Sequence, residues 1–480
     1  MNRNNSNEMM IMHGPAQWQV LQQENGYADF IIDGIYCVTD LQASDFQLMA
    51  RIVDENDGSQ AVYWTRCERL NEENAHGEWL MHFRSIKAGG PYRIETGIAL
   101  KSNRWSTEFM LRGDIIHHVG IGNLIVVAGQ SNSAGFGRET VPDPPEYGVS
   151  VLQVSGQWNL AAHPLCDATD GTASEHADIL NVGHSPWLSL AKSIKRNTNM
   201  PVGIIPLGLN GSSIDDWDRQ KGYLYHNMRN MIRRSGNKLS MFIWYQGCTE
   251  ANSNHYDSYF EKLSQFITAL QAEENYTDYP IVVVQINRIT TKDDTHIAGW
   301  RKVRDAQRRV ADTFTHVFCI PTYDIGMISD DVHNNSYANL AIASRVFDCL
   351  RSVYDNSYQM LPPSIEKAEI SKDNERIAKL LVRNVIGVLE IRKYKGEKYP
   401  FVIERETGEE IPIKQAYINS QNEIIIEAME ALHQCYVSYV PQVIFEGNHI
   451  YDCSSRLPLI AFDRIHMEDG EEQHDKKTGF

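Results

Sequence analysis

The amino-acid sequence predicts an α/β protein with a parallel β-sheet, flanked on both sides by β-rich segments. Between residues 121 and 360, apolar strand patterns alternate with amphipathic helical patterns, which favours a parallel sheet with helices on both faces. Short alternating runs without helical periodicity fill residues 1–120 and 361–467. A domain has about 150 residues, so a chain of 480 residues is too long for a single hydrophobic core. We therefore predict three domains with these bounds and a loose polar tail over residues 468–480.

The N-terminal segment has the pattern of a β-rich domain. Its clearest strand candidates are residues 28–35, 46–53 and 79–86, separated by Gly, Asn and Asp. A last run at 115–122 immediately precedes a different pattern, so we place the domain boundary after residue 120.

The central segment supplies the strands and helices of the predicted parallel sheet. Strands are predicted at 124–128, 202–206, 241–245, 281–285 and 316–320, and helices at 187–195, 223–234, 256–273, 299–313 and 336–353. The pair Pro362-Pro363 ends this pattern, and strand-like runs such as 424–426 and 435–440 follow. In a parallel sheet of this kind, sites are expected beyond the carboxyl ends of the strands.

Charge and composition exclude several classes of partner. Lys and Arg number 45 and Asp and Glu 62, so the net charge of −17 repels phosphate backbones and anionic membrane surfaces. We expect neither nucleic acid nor a membrane as partner. No apolar run of about 18 residues and no secretory signal are seen, so a cytoplasmic location is expected.

The cysteines and aromatic residues complete this description. Eight Cys residues are scattered singly without the C-x-x-C spacing of zinc sites, so we predict buried free thiols and no metal or other cofactor. The 22 Tyr and 9 Trp include rings that suit stacking on sugars, although most are expected in the core.

A candidate nucleophile follows the first strand of the central segment. The strand 124–128 runs into Gly129-Gln130-Ser131-Asn132, which places Ser131 at a carboxyl strand end where a helix would begin. Unpaired N–H groups at a helix start can stabilise an oxyanion. A plain helix cap is the alternative interpretation of this serine.

A serine needs a neighbouring base, and an Asp three residues before a His can orient such a base. This spacing occurs at Asp114/His117, Asp293/His296, Asp330/His333 and Asp463/His466. Only Asp330/His333 falls between the last predicted strand and the last helix of the sheet, where it could face Ser131. We therefore favour His333 as the base.

Two further segments offer donors at the same sheet edge. Residues 208–211 (GLNG) follow the second strand, and residues 244–247 (WYQG) overlap the end of the third. Each segment taken singly favours an ordinary turn.

Four blocks together resemble the signature of the SGNH (GDSL) hydrolases, and specifically the sialate O-acetylesterase family with its relatives in carbohydrate esterase family six. The blocks are GQSN at 129–132, NGSSIDDW at 210–217, WYQG at 244–247 and DDVH at 330–333. Residues 89–96 and 439–462 resemble the β-rich leader and closing β module of that family. The resemblance implies a flavodoxin-like three-layer α/β/α core.

The resemblance also implies roles for individual residues. Ser131 would be the nucleophile, His333 the general base and then acid, and Asp330 the orienting carboxylate, with Asp331 kept as the alternative. The N–H groups of Ser131 and Gly211 and the Gln246 side chain would form the oxyanion hole. The candidate substrate contacts are Gln130, Asn132, Asn210, Trp217 and Glu250. Ser133 and Cys248 depart from the usual Met and Glu, which leaves the acyl and sugar preference open.

The function expected from this resemblance is removal of O-acetyl groups from sugars through an acetyl-enzyme, with an acetylated carbohydrate as substrate. A deacetylase of acetyl xylan or another polysaccharide is one alternative. A catalytically inert carbohydrate-binding protein is the other. The oligomeric state stays open, with a homodimer among the options.

Overall fold

The structure of the protein is a computed structural model. It describes residues 7–39, 41–70, 74–101, 108–166, 182–253, 255–288, 294–329, 332–355, 357–392, 399–439 and 449–470. Three large clusters of buried apolar side chains form most of the described interior, one in the first 121 residues, one around the central sheet and one in the C-terminal β region. A small fourth cluster contains Ala134, Phe136 and Cys166.

The N-terminal region consists of strands, as its alternating pattern predicts. They are β1 (Glu8–His13), β2 (Val20–Gln22), β3 (Tyr27–Cys37), β4 (Phe46–Asp54), β5 (Gln60–Arg66), β6 (Glu68–Arg69), β7 (His76–Lys87), β8 (Gly89–Leu100) and β9 (Glu108–Gly129). Four of them form a sheet in the order β1-β3-β7-β6. β4 pairs with β5 and β8, and β8 pairs with β9. Alternate residues of β4 and β8 point into the local core.

Strand β9 joins the N-terminal region to the central sheet. Its first part pairs antiparallel with β8, and residues 123–129 pair in parallel with strands from the central segment. The predicted boundary after residue 120 lies inside this strand. The division into three domains stays a prediction.

The central region alternates strands and helices. Its strands are β10 (Val149–Leu152), β11 (Trp158–Leu160), β12 (Val202–Gly208), β13 (Met241–Tyr245), β14 (Ile281–Val284) and β15 (Val317–Ile320). Its helices are α1 (Ser131–Ala134), α2 (Trp187–Thr198), α3 (Tyr223–Arg234), α4 (Cys248–Ala251), α5 (Tyr259–Gln271), α6 (Asp294–Thr313) and α7 (Ser336–Tyr354), with 3₁₀ turns at Ile214–Trp217 and Tyr256–Ser258.

The central sheet has the order β11-β10-β12-β9-β13-β14-β15. All of these neighbours are parallel except β10 and β11 at one edge. Residues 124–128 of β9 are completely buried, which explains the uninterrupted apolar run in the sequence. Helix α2 packs against α7, and α5 packs against α6. The carboxyl ends of β9, β12 and β13 therefore meet at one edge.

The C-terminal region is again built of strands. They are β16 (Ser364–Ile370), β17 (Ile377–Arg383), β18 (Leu389–Arg392), β19 (Phe401–Arg405), β20 (Glu410–Ile411), β21 (Ile413–Ile418), β22 (Ile424–Ala428), β23 (Cys435–Tyr439), β24 (His449–Asp452) and β25 (Phe462–Asp469). Eight form one sheet, and β18 pairs with β24 separately. The mixed α/β class with extensive sheet is confirmed.

The cysteines are free thiols, as predicted, although two of the eight are not buried. Cys37 is half-buried and Cys453 is exposed. Among the described helices, none is both long and apolar enough to cross a membrane.

Candidate active site

The nucleophile candidate begins a short helix at the end of β9. Gly129 has φ 137°, and a Cβ there would lie 2.1 Å from the carbonyl oxygen of Tyr245 on β13. Only glycine tolerates both the backbone conformation and this close approach. The chain then turns so that Ser131 is the first residue of α1 and is 2% exposed.

The structure brings Ser131 and His333 together although 202 residues separate them in sequence. The Nε2 atom of His333 lies 2.7 Å from the Ser131 Oγ, a hydrogen-bond distance. His333 lies in the turn between β15 and α7 and is half-buried. The pair therefore has the geometry that a serine nucleophile and its base require.

The imidazole of His333 is held on one face by an aromatic ring. The ring of Phe136 stacks on it, with a centroid distance of 4.1 Å and an interplanar angle of 14°. Gly137, the next residue, exchanges two backbone hydrogen bonds with His184, which fixes this loop after α1. Phe136 thus restricts the tilt of the base.

Asn132 contacts the backbone on both sides of His333. Its Oδ1 accepts a hydrogen bond from the Asn334 N–H at 3.0 Å, and its Nδ2 donates to the Val332 carbonyl at 3.2 Å. Asn132 is 2% exposed. Both polar ends of the side chain therefore bind protein, and the substrate contact predicted at this position stays a prediction.

The three predicted oxyanion donors differ in their surroundings. In the described part of the chain, the N–H groups of Ser131 and Gly211 have no acceptor. The Gln246 side chain is fully buried, and its Nε2 donates to the Ser212 carbonyl at 3.2 Å and to Glu250 Oε2 at 2.5 Å. Because both amide hydrogens have acceptors, Gln246 as placed offers no donor to an oxyanion.

Gln130 and Glu250 fasten loops of the site to one another, contrary to their prediction as substrate contacts. The Oε1 of Gln130 accepts hydrogen bonds from the N–H groups of Gly247 and Cys248, both at 2.9 Å. Glu250 is 4% exposed and accepts from the Ile214 N–H at 2.7 Å. Burial raises the pKa of Glu250 and outweighs these hydrogen bonds.

Trp217 is also a core residue and cannot reach a substrate. Its side chain is 0% exposed and packs edge-on against Trp244, with a centroid distance of 5.2 Å. The Asn210 position is exposed in the turn after β12, so its predicted substrate contact stays a prediction.

Asp330 and Asp331 lie outside the described residues, so the choice between them as orienting carboxylate stays a prediction. Two of the rejected pairs are engaged elsewhere. The His117 Nδ1 lies 3.0 Å from Glu55, and Asp463 pairs with Arg301 at 2.7 Å.

Asp143, His163 and His184 form a second group of titratable side chains, which could geometrically surround a metal ion. Asp143 Oδ2 lies 2.9 Å from His163 Nε2 and 3.2 Å from His184 Nε2, and its other oxygen pairs with Lys192. Both rings must donate from Nε2 to satisfy the carboxylate. The Ser185 N–H points at His163 Nδ1 at 3.4 Å, so that nitrogen is an acceptor.

These hydrogen-bond roles do not suit a metal. A ring that binds metal through Nε2 carries its proton on Nδ1 and needs an acceptor there. His163 Nδ1 instead faces a donor, and a lysine ammonium already occupies the carboxylate. We assign the group to structural support of the loop that carries Phe136.

Sequence reasoning missed Phe136, Asn334 and the Asp143 group. None has a periodic or motif signal of its own. The only available clue was adjacency, because Asn132 and Asn334 directly follow the predicted nucleophile and base in sequence.

Comparisons with known proteins relate the central region to a family and the whole chain to a fold. Residues 121–351 match the family model described as "Carbohydrate esterase, sialic acid-specific acetylesterase". A comparison with the curated protein sequences found no match.

Among solved structures, a carbohydrate acetylesterase from Xanthomonas citri is similar to this chain, with 18% identity and a TM-score of 0.65, over 94% of this chain and 98% of that one. A protein from Arabidopsis thaliana is 22% identical over 48% of this chain and 97% of its own, with a TM-score of 0.41. NanS is 14% identical over 49% and 98%, with a TM-score of 0.37. The first likeness shows a common fold along nearly the whole chain.

The α/β fold and the family match define the chain as a carboxylic ester hydrolase of the carbohydrate esterase class. Residues 121–351 match the model of the sialic acid-specific acetylesterase family, so the resemblance seen in the sequence is confirmed. The predicted carbohydrate O-acetylesterase function is confirmed with it.

Proposed function

We propose that the chain removes O-acetyl groups from sugars of the sialic acid type by two-step acyl transfer, with Ser131 as nucleophile and His333 as general base. The observation that carries this proposal is the 2.7 Å contact between Ser131 Oγ and His333 Nε2. A neutral imidazole in this position takes the hydroxyl proton as the oxygen attacks the acetyl carbonyl. The imidazolium then protonates the departing sugar oxygen.

The second step regenerates the enzyme. Water enters after the sugar alcohol leaves, and His333 takes a proton from it as it attacks the acetyl-serine. The Ser131–acetyl bond breaks, the serine oxygen recovers its proton from His333, and acetate is released. Asp330 is proposed to hold the other ring nitrogen and so fix the tautomer in both steps.

The oxyanion of each tetrahedral intermediate requires donors beside Ser131. The N–H groups of Ser131 and Gly211 suit this role, since neither has an acceptor among the described residues. Gln246 is not a donor to the oxyanion in this proposal. It supports the oxyanion hole indirectly, because it binds the Ser212 carbonyl next to Gly211.

The proposed architecture is an SGNH-type three-layer core between two β-rich domains. Within the central sheet, the five strands β12-β9-β13-β14-β15 have the flavodoxin-like order 2-1-3-4-5 by their position in the chain, and β10 adds a further parallel strand beside β12. The separate pairings of α2 with α7 and of α5 with α6 support helices on two faces.

Acetate release from a panel of substrates tests this function. Wild-type protein should release acetate from O-acetylated sialic acids faster than from acetylated xylan oligosaccharides. The reverse preference would favour the polysaccharide deacetylase, and no release from any acetylated sugar would favour the carbohydrate-binding alternative. Ser131→Ala should lower kcat by at least about 10³-fold with an unchanged circular dichroism spectrum.

Ser133→Ala is the matched control for this variant. Ser133 lies two residues further along α1, is fully buried, and its hydroxyl has no hydrogen-bond partner among the described residues. Its loss should leave kcat within about twofold, because no transition-state contact is removed. Equal turnover by Ser131→Ala and Ser133→Ala would overturn the assignment of the nucleophile.

A further inference from the structure

We infer that Asn132 is a positioning residue that holds the base His333 on the nucleophile through a chain of three buried amides, Asn132, Asn334 and Asn287. This inference rests on the proposed roles of Ser131 and His333. It gives Asn132 a role other than the predicted substrate contact, and it adds Asn334 and Asn287, which lie outside the four signature blocks.

The first link is the pair of hydrogen bonds from Asn132 to the turn that carries His333. One bond reaches the residue before the histidine and the other the residue after it, at 3.2 Å and 3.0 Å. Two bonds on either side of one residue oppose rotation of its backbone in both directions. Because Asn132 directly follows Ser131, the nucleophile and the base share one rigid connection.

A carboxamide is the side chain that suits this connection. It presents one donor to the Val332 carbonyl and one acceptor to the Asn334 N–H, whereas an ionised carboxylate presents only acceptors. The Cys248 side chain also hydrogen-bonds Asn132, and burial raises the pKa of that thiol to about 12. A neutral thiol at this position adds no charge that would pull Asn132 away from the turn.

The second link continues beneath the base. Asn334 is 1% exposed, its Nδ2 donates to the Tyr245 hydroxyl at 2.7 Å, and its Oδ1 accepts from Asn287 Nδ2 at 2.8 Å. The Asn287 Oδ1 in turn accepts from the Arg288 N–H at 2.7 Å. The turn carrying His333 is thus fixed to α1, to the last residue of β13 and to the loop that follows β14.

The amides act on the reaction through distance. Displacement of a catalytic group by about 1 Å can cost about a hundredfold in rate. Asn132→Ala removes both bonds to the turn, so we expect kcat to fall about tenfold to a hundredfold while KM changes less than about threefold. Asn287→Ala, one step further from the base, should give a smaller loss of kcat. It is the variant to measure if Asn132→Ala fails to fold.

Asn339→Ala is the matched control. Asn339 is 1% exposed against 2% for Asn132, and its Nδ2 donates to the His184 carbonyl at 2.6 Å rather than to the turn that carries His333. The Asn339→Ala variant loses a buried amide hydrogen bond of helix α7, so its melting temperature should fall about as much as that of Asn132→Ala. Its kcat should stay within about twofold of wild type.

A double-mutant cycle separates positioning from direct contact with substrate. Residual hydrolysis of p-nitrophenyl acetate is measured for His333→Ala with and without Asn132→Ala. If Asn132 acts through the base, its replacement has less than about a twofold effect once the imidazole is gone. An equal loss of kcat in both backgrounds, or no loss in the wild-type background, would overturn the inference. Full activity of His333→Ala would instead refute the proposed function.

Discussion

Two histidine sites in the central region use the same side chain for different purposes. His333 faces a serine hydroxyl at 2.7 Å, whereas His163 and His184 face one carboxylate oxygen of Asp143 at 2.9 and 3.2 Å. Both sites include a ring contact, with centroids 4.1 Å apart for Phe136 and His333 and 4.3 Å for His163 and His184. The difference lies in the atom that meets Nε2.

A hydroxyl can give its proton to an imidazole, but an ionised carboxylate can only accept one. His163 and His184 therefore donate their Nε2 hydrogens to Asp143, whose charge is balanced by Lys192. Close contact between histidine and aspartate is thus not a sign of catalysis. Through the backbone bonds of His184 to Gly137, the second site supports the loop that places Phe136 on His333.

The largest expected effect comes from His333→Ala. Loss of the base should lower kcat for acetate release by at least about 10³-fold, because the serine hydroxyl keeps its proton. His163→Ala should retain kcat within about fivefold at a temperature where it is folded, since among the described residues its ring nitrogens contact Asp143 and Ser185 and no residue of the Ser131–His333 pair. Parallel kinetics and melting curves of the two variants check this contrast. A comparable loss of kcat in both would remove the distinction between the sites.

The next effect is on stability and concerns Asp143→Asn. The buried Lys192 ammonium, 7% exposed, would lose its charged partner, and uncompensated buried charges typically cost about 3 to 5 kcal/mol. Urea unfolding should show a decrease of that size in the free energy of unfolding.

Asp257→Asn provides the matched surface comparison. Asp257 pairs with Lys302 where both side chains are exposed, at 69% and 43%, so its loss should cost less than about 1 kcal/mol. Similar losses for the two variants would show that Asp143 is not the support we describe.

A third effect concerns the carboxylate that orients His333. Asp330→Asn should lower kcat about a hundredfold, because an amide cannot stabilise the imidazolium as an ionised carboxylate does. Asp331→Asn should lower kcat less than about threefold. Initial rates at saturating substrate check both. A larger loss for Asp331→Asn would exchange their roles and leave His333 as the base.

Most of the central fold could be predicted, because its elements are decided locally. Residues 241–245 and 223–234 match β13 and α3 at both ends, and residues 336–353 stop one residue short of the end of α7. Fully buried parallel strands and amphipathic helices carry strong patterns in sequence. The boundary after residue 120 had no such support, since β9 is one 22-residue strand that changes partners midway.

The site was predictable in its reacting residues but not in the residues around them. Ser131 and His333 stand out because the chemistry demands them at strand ends and because four blocks resemble a known family. Burial decides the roles of Trp217, Glu250 and Gln130, and burial depends on which loops meet in space. A polar residue beside a nucleophile has the same sequence signature whether it contacts substrate or fastens the next loop.

The smallest expected effect is a difference in how pH acts on two buried carboxyls. Hydrogen bonds from His163, His184 and Lys192 outweigh burial and hold the pKa of Asp143 below its usual 3.8, whereas burial raises the pKa of Glu250 above its usual 4.5. Asp143 therefore adds stability above pH 3.8, which is lost as pH falls through its lower folded pKa. Glu250 has the opposite sign, because the folded state keeps its proton longer and stability falls as pH rises from 4.5 to its folded pKa.

Glu250→Gln isolates the second effect. The Gln246 Oε1 has no donor among the described residues, and a protonated carboxyl or an amide at position 250 can supply one. The variant should therefore resemble the protonated wild type and lack its loss of stability above pH 4.5. In urea unfolding between pH 4 and 8, the free energy of unfolding of the variant should rise relative to that of wild type as pH rises. This change should be smaller than the effect of Asp143→Asn. A constant difference across this range would mean that Glu250 is ionised throughout, and that its bonds to Ile214 and Gln246 outweigh its burial just as the partners of Asp143 do.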